Sequence, residues 1–220
     1  MAQKVSHLFT AEDLERIKTA VQAAEGKTSG EIVPYLVDRS DEYEESEWRL
    51  GSLLALLVLG GASAFHQFSD LWLPLDVAIL VLASASALLA GIALARFIPP
   101  VKRFFAGKAL IDRRVNARAA EAFLAEEVFK TRERTGILLF VSVLEHKVLV
   151  LGDSGINAKV EKAEWQDLVD TLTRSIARGN PTAALLDAIG KAGNLLTRSD
   201  VRRRKDDKDE LPDNLRIGTR

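Results

Sequence analysis

The segment Gly136–Leu144 is GILLFVSVL, a run without a single charged side chain. A continuous apolar run of this kind, which includes β-branched and aromatic residues, predicts a strand that is buried on both faces. Lys147–Leu151 (KVLVL) follows after Glu145 and His146, and two strands this close in sequence predict an antiparallel hairpin. Gly136–Leu144 is therefore expected to be the central strand of a β-sheet.

Another strand is predicted much earlier in the chain, at Glu31–Val37 (EIVPYLV). Pro34 has no backbone N–H, so this strand should lie at a sheet edge or contain a bulge. The residues before it, Lys27–Gly30 (KTSG), are similar to Arg134–Gly136 (RTG), which indicates that the two strands run parallel. Because one isolated strand cannot form a stable sheet, its partners are expected among residues 136–151.

Helical periodicity predicts four helices around these strands. The first begins at Ala11, because Thr10 and Asp13 form a variant capping box, and it ends at Gly26. The other three are expected near residues 120–128, 165–176 and 181–196, with Gly179 and Asn180 between the last two. This order of helices and strands predicts an α/β domain.

Two apolar stretches interrupt the domain and predict a transmembrane helical hairpin. Ala78–Ala95 contains no charge, and as a helix it would nearly cross a hydrocarbon core of about 30 Å. Leu50–Phe65 is shorter and contains three glycines, so it is identified as a span mainly by its neighbour. The alternative is a hydrophobic helix pair inside a soluble protein. The lipid bilayer is thus an expected partner, through residues 50–98.

Small side chains along both stretches are expected to let the two helices approach closely. They are Gly60, Ala64, Ala83, Ala87, Gly91 and Ala95. The expected organisation has residues 1–49 and 99–198 as the N-terminal and C-terminal parts of one domain, 50–98 as the hairpin, and 199–220 as a charged, mobile tail.

Flanking charges predict the orientation of this hairpin. The connection His66–Asp76 contains no Lys or Arg, whereas six basic residues lie between Arg96 and Arg114. The positive-inside rule then places both termini and the soluble domain in the cytoplasm. A two-span protein of the inner (cytoplasmic) membrane is expected. Its first residues lack the apolar run of a removable signal peptide.

Composition excludes several classes of function. Lys and Arg together number 30 against 31 Asp and Glu, for a net charge of -1. No overall basic field is available for nucleic acid, so no nucleic-acid partner is expected. The absence of cysteine excludes disulfides, Cys-ligated zinc, iron–sulfur clusters and a thiol nucleophile.

One carboxylate pair is a candidate metal site. If the first two strands are parallel and the third returns antiparallel, Asp153 comes to lie beside Glu31. Oxygen ligands suit a hard cation, calcium or magnesium. The alternative is that Asp153 stabilises a turn and Glu31 is a surface strand residue. Four hydroxyl groups would surround the pair, those of Thr28, Ser29, Thr135 and Ser154.

Several segments resemble the TPM domain family. They are Thr135–Ser142 (TGILLFVS), Glu145–Val148 (EHKV), Gly152–Ile156 (GDSGI) and Ser29–Val33 (SGEIV). The hairpin and the ending Asp209–Leu215 (DELPDNL) are similar to a bacterial membrane-protein branch of that family. The resemblance implies an α/β/α sandwich with a small mixed sheet, here interrupted by the transmembrane hairpin.

The resemblance leaves two classes of function open, because family members are variously described as phosphatases, calcium binders or assembly and repair factors for membrane complexes. The first is a membrane-anchored, non-catalytic binding or assembly and maintenance factor, whose partner is another membrane protein or complex. It is favoured because no catalytic constellation can be assembled from the residues. The alternative is a calcium- or magnesium-dependent phosphatase that uses Asp153 and Glu31.

Overall fold

A computed structural model of the chain describes residues 9–68, 76–160, 162–177, 181–199, 201, 203 and 210–218. The chain divides into two compact units, Met1–Ser40 with Arg114–Arg220, and Asp41–Arg113. In chain order the elements are α1 (Ala11–Glu25), β1 (Glu31–Val37), α2 (Glu44–Phe68), α3 (Val77–Phe97), α4 (Pro99–Ala106), α5 (Lys108–Ala125), β2 (Gly136–Ser142), β3 (Lys147–Gly152), α6 (Ser154–Asn157), α7 (Lys162–Ala177), α8 (Pro181–Arg198) and β4 (Arg216–Gly218).

The first unit is a mixed α/β fold on a four-stranded sheet with the order β3-β2-β1-β4. β1 runs parallel to β2, and β3 runs antiparallel to β2, so the predicted pairing is confirmed. Every residue of β1 and β2 is buried, as the apolar run of Gly136–Leu144 predicts.

The fourth strand was not predicted, and it changes the position of β1. β4 pairs in parallel with Tyr35–Val37 only. β1 is therefore an edge strand at Pro34, as expected from the missing N–H, but an internal strand beyond it. The sequence predicts only a charged, mobile tail after residue 198, because three residues that follow a charged segment carry no periodic signal.

Helices α1, α7 and α8 contribute to one hydrophobic core with the sheet. Val21 of α1, Leu172 of α7 and Ile189 of α8 belong to the same buried cluster as Ile32 and Leu139 of the sheet. The capping box of α1 is confirmed, since Asp13 N donates to Thr10 Oγ1 at 3.1 Å and Thr10 N donates to Asp13 Oδ2 at 3.0 Å. The predicted helix stop at Gly179 and Asn180 lies outside the described residues.

The second unit consists mainly of α2, α3 and α4, with the start of α5. A Cβ built on Gly91 would lie 2.7 Å from Gly51 Cα, so α2 and α3 are in backbone contact at these two glycines. Gly91 and Ala95 are buried, as the predicted seam requires. Gly60 was expected in the same seam, but a Cβ there would meet nothing within 4 Å. The actual α2 glycine of the contact is Gly51, near the beginning of the helix.

Candidate functional site

The two predicted carboxylates lie in one row of the sheet, at the end where β1 and β2 begin. Glu31 is opposite Gly136 in the parallel register, and Asp153 N donates to the Gly136 carbonyl at 2.9 Å. The end of β3 therefore lies beside the starts of β1 and β2, as the sequence predicts. Two strand spacings separate the Cα atoms of Glu31 and Asp153, or roughly 10 Å.

Backbone fills the space between these carboxylates. A Cβ on Gly136 would lie 2.0 Å from the carbonyl oxygen of Val128, which follows α5. Residues in one row of a sheet direct their side chains to the same face, so the Val128 carbonyl lies on the face that Glu31 and Asp153 share. Gly136 is required because no larger residue could accept this close approach.

Asp153 has the contacts of a turn-stabilising residue. Its Oδ1 accepts the Ser154 N–H at 2.6 Å, which makes Asp153 the N-cap of α6. Its Oδ2 lies 3.0 Å from Arg134 Nε. Asp153 is buried, whereas the Arg134 side chain is half-exposed. Both carboxylate oxygens thus have protein neighbours, as the turn-stabilising alternative predicts for Asp153, but Glu31 is buried rather than the surface residue that the same alternative predicts.

Two of the four hydroxyls expected around the pair, those of Thr28 and Thr135, instead stabilise the two similar strand entrances. Thr28 Oγ1 donates to the Val201 carbonyl at 2.5 Å and accepts the Gly30 N–H at 3.2 Å. Thr135 Oγ1 donates to the Ser29 carbonyl at 2.7 Å. The Thr135 bond connects the segment before β2 to the segment before β1, and the Thr28 bond connects the latter to Val201.

Glu31 has two acidic neighbours that sequence reasoning missed, Glu25 and Asp213. Glu25 Oε1 accepts the Ile32 N–H at 2.7 Å, and the Glu25 carboxyl is hydrogen-bonded to Asp213. Glu31 Oε1 accepts the Glu210 N–H at 3.2 Å. We call Glu25, Glu31 and Asp213 the acid cluster. It joins the end of α1 and the start of β1 to the segment that leads into β4.

Asp213 is a buried carboxylate of this cluster. Its side chain is 6% exposed, and its Oδ2 accepts Gln22 Nε2 at 2.8 Å. No donor nitrogen or hydroxyl in the described part of the chain hydrogen-bonds its buried Oδ1. A buried carboxylate in this situation favours a proton on a neighbouring acid.

Glu25 is the group that holds this proton. Burial, with smaller contributions from Glu31 and Asp213, raises the pKa of Glu25 from an ordinary value of 4.5 to about 9, although the hydrogen bond from the Ile32 N–H opposes the shift. At neutral pH Glu25 is a neutral acid that can donate to Asp213. Within the described ranges, no group of three or more His, Cys, Asp or Glu side chains is arranged to hold a metal ion.

A second buried polar cluster lies at the opposite end of the parallel strands. Glu145 Oε1 accepts the Ser40 N–H, and the Ser40 and Ser142 hydroxyl oxygens are 2.8 Å apart. Ser142 Oγ also donates to Glu145 Oε2. All three residues are buried. They connect the chain that leaves β1 to the β2–β3 turn, and their mutual bonds leave no exposed nucleophile.

An open groove of about 810 Å³ runs between α7 and α8. Its walls carry charges of both signs, including Glu164, Asp167, Lys191 and Arg198. Neither Glu31 nor Asp153 lines it. A mixed-charge groove of this type offers contacts for a polar surface, and it contains no arrangement of nucleophile, base and oxyanion donors.

Comparison with known proteins agrees with this fold. The model of the TPM domain family matches residues 107–195, a range that includes α5, β2, β3, α6 and α7. Residues 107–195 are thus similar to the TPM domain. The predicted resemblance is thereby confirmed for the domain, and Asp153 lies within the matched range of the TPM domain, whereas the acid cluster lies outside it.

A solved structure has the same fold as this chain. It is the NMR structure of the BA42 protein from the psychrophilic bacterium Bizionia argentinensis, at 22% sequence identity and a TM-score of 0.57. The alignment covers 96% of this chain and 95% of that chain. A search of curated proteins found no match to the sequence.

Proposed function

We propose that this protein is a membrane-anchored TPM-domain protein that acts as a non-catalytic binding or assembly and maintenance factor for a membrane complex. In this proposal α2 and α3 cross the bilayer, and the TPM domain binds another membrane protein or complex on the cytoplasmic side. The surface of α2 and α3 carries the proposal.

That surface is apolar and turned outward. Both helices are long and apolar enough to cross a membrane, and little of either apolar stretch is buried. Leaving one large apolar side chain in water, rather than covering it, costs about 1.5–3 kcal/mol. A lipid environment removes this cost for many side chains together. Largely exposed examples are Leu56, Leu57, Leu82 and Leu89.

The contact between α2 and α3 also suits a bilayer. Lipid tails are as apolar as leucine, so helices in a membrane associate through close packing of small residues. The contact of Gly51 with Gly91 is of that kind. A helix pair in the core of a soluble protein would instead bury its large apolar side chains against the rest of the domain.

The orientation is proposed from charge. Arg96 is exposed in the last turn of the second helix, and exposed Lys108 and Arg113 follow that helix. The connection between the two helices contains no Lys or Arg. The positive-inside rule therefore favours a two-span protein of the inner membrane with both termini and the TPM domain in the cytoplasm.

A non-catalytic role is supported by what the polar groups contact. Asp153 caps a helix and lies beside Arg134, and protonated Glu25 hydrogen-bonds Asp213. Side chains committed to such bonds stabilise turns and strand entrances. The mixed-charge groove between α7 and α8 supplies a surface on which a protein partner could bind.

Anchoring and orientation can be tested by cysteine labelling, because the chain has no cysteine of its own. A membrane-impermeant maleimide should label an Asp70→Cys variant in intact spheroplasts, and a Lys191→Cys variant only after permeabilisation. Residue 70 lies in the connection outside the described residues, and Lys191 is exposed on α8. Recovery of the protein in the soluble fraction would overturn anchoring. Labelling of Lys191→Cys in intact spheroplasts would overturn the orientation.

The binding role is tested by affinity capture of the full chain from detergent-solubilised native membranes. A membrane protein recovered in stoichiometric amount supports the proposal. The same purified chain is then incubated with p-nitrophenyl phosphate and calcium or magnesium. Metal-dependent hydrolysis by the wild type that is lost in Asp153→Ala would overturn the non-catalytic assignment and favour the phosphatase alternative.

A further inference from the structure

Helix α4 has its charged and aromatic side chains on the opposite sides from those of an ordinary surface helix. Lys102 is only 4% exposed, whereas Phe104, two residues later, is 78% exposed. Amphipathic helices in water bury their apolar side chains and expose their charges. The reversed pattern indicates that the outer side of α4 does not face water.

Lys102 is held inside by partners in α2 and in the segment just before it. Its Nζ lies 2.9 Å from Glu47 Oε1 and donates to the Glu42 carbonyl at 2.7 Å. The Glu47 side chain is largely buried as well. An enclosed ammonium group needs such bonds to offset its lost hydration. The inward position of Lys102 is thus a built feature of this unit.

A second cation fixes the other end of α4. Arg49 Nη1 donates to the carbonyls of Phe105 and Ala106, at 2.9 and 3.0 Å. These are the last carbonyls of α4, which lack partners within the helix itself. Charged groups therefore fasten the inner side of α4 to α2, and they determine which side of α4 is turned outward.

The outward side of α4 is an apolar stripe. Pro100 and Phe104 lie four residues apart in α4, which places them on one face, and Phe97 ends α3 just before this helix. All three are exposed, and Phe97 is 77% exposed. We call these three residues the α4 stripe. In water, two such aromatic side chains would be left without the burial that normally stabilises them.

We infer that α4 is an interfacial helix whose α4 stripe inserts into the boundary between headgroups and acyl chains of a lipid bilayer. The inference rests on the proposed membrane anchoring. It adds α4 to α2 and α3 as a further element in contact with the cytoplasmic leaflet. Only Ile98 separates α3 from α4, so the stripe continues directly from a proposed span. An interfacial helix places aromatic side chains at this depth.

Neighbouring residues fit a lipid occupant. Trp48 is exposed in the first turns of α2, and the contact of Gly51 with Gly91 places it at the same end of the hairpin as α4. Tryptophan is enriched at membrane interfaces. Exposed Arg96 and Lys108 flank the stripe and can attract anionic headgroups.

Spin labelling can measure the depth of the stripe in the full chain, reconstituted in vesicles of phosphatidylethanolamine and phosphatidylglycerol. A Phe104→Cys variant is labelled and compared with Leu89→Cys in the middle of α3 and Lys191→Cys on the surface of α8. Collisions with oxygen and with a water-soluble nickel chelate report depth. We expect the label at Phe104→Cys to meet oxygen several-fold more often than the nickel chelate, at a depth shallower than Leu89→Cys.

The reference labels separate failure of this inference from failure of the proposed anchoring. A deep label at Leu89→Cys with a water-exposed label at Phe104→Cys would overturn the interfacial helix and leave anchoring intact. Water exposure of all three labels would overturn both. Spin–spin broadening confined to Phe104→Cys would mean that a second copy covers the stripe, which also overturns the lipid assignment.

Discussion

Replacing Glu25 by glutamine should remove a pH dependence that the acid cluster imposes on stability. Glutamine has nearly the shape of a protonated glutamic acid. Its carbonyl oxygen can accept the Ile32 N–H, and its amide can donate to Asp213, so both bonds of Glu25 are retained. The variant differs from the wild type mainly in that it cannot lose a proton.

The sign follows from the raised pKa of Glu25, about 9 in the fold against 4.5 ordinarily. Between these values the folded chain holds a proton that the unfolded chain has released. The contribution of Glu25 to stability is therefore complete below pH 4.5 and is lost as the pH rises toward 9. The loss is at most about 1.4 kcal/mol per pH unit, or about 4 kcal/mol between pH 5 and 8.

Urea unfolding of the full chain in detergent micelles, followed by circular dichroism at pH 5, 6, 7 and 8, measures this effect. The stability of Glu25→Gln relative to the wild type should increase with pH. Glu15→Gln, at an exposed position of the same helix, controls for the loss of one carboxylate. If the difference between Glu25→Gln and the wild type is the same at all four pH values, the acid cluster does not store a proton on Glu25.

Three further substitutions test other close contacts. Gly91→Ala forces a methyl group against the α2 backbone and should lower the stability of the hairpin by about 1–3 kcal/mol, whereas Gly60→Ala should not; thermal melts in micelles compare them. Gly155→Ala would place a Cβ 2.3 Å from a backbone carbonyl, while Gly190→Ala meets open space on α8; only the first should lower the urea midpoint. Asp153→Ala should lower the free energy of unfolding by about 1 kcal/mol, because the cap of α6 is lost. Calorimetric titration with calcium distinguishes this effect from the loss of a cation site. A weaker calcium response in the variant would contradict a purely structural role for Asp153.

The part of the fold that could be predicted is the part that local sequence patterns determine. The apolar run of Gly136–Leu144 and the similar entrances to two strands were sufficient to predict β1 beside β2 in parallel, and the structure confirms both. β4 could not be predicted in this way. Its three residues form a strand because β1 offers an open edge at Tyr35–Val37, which is a property of the folded sheet.

The candidate site shows the same limit. Sequence placed Asp153 near the start of β1, and the register confirms that position. It could not reveal that the chain after α5, where Glu127 has a positive φ of 54°, brings the Val128 carbonyl between the two carboxylates. The sequence does draw attention to Asp213, since this residue lies within the DELPDNL segment. Its contact with Glu25 could not be predicted, because the two residues are far apart in sequence.

The parallel pairing of β1 with β2 has a consequence for synthesis of the chain. In chain order β1 precedes the two apolar helices and β2 follows them, so the ribosome completes β2 only after both helices. The pairing of Glu31 with Gly136 cannot form before that. A long loop must close before this contact forms, which makes it a late event in folding. If the two helices enter a bilayer as they leave the ribosome, the sheet is completed only after the helices have been inserted. A chain that missed the membrane would present an unpaired apolar strand, a ready substrate for chaperones and proteases.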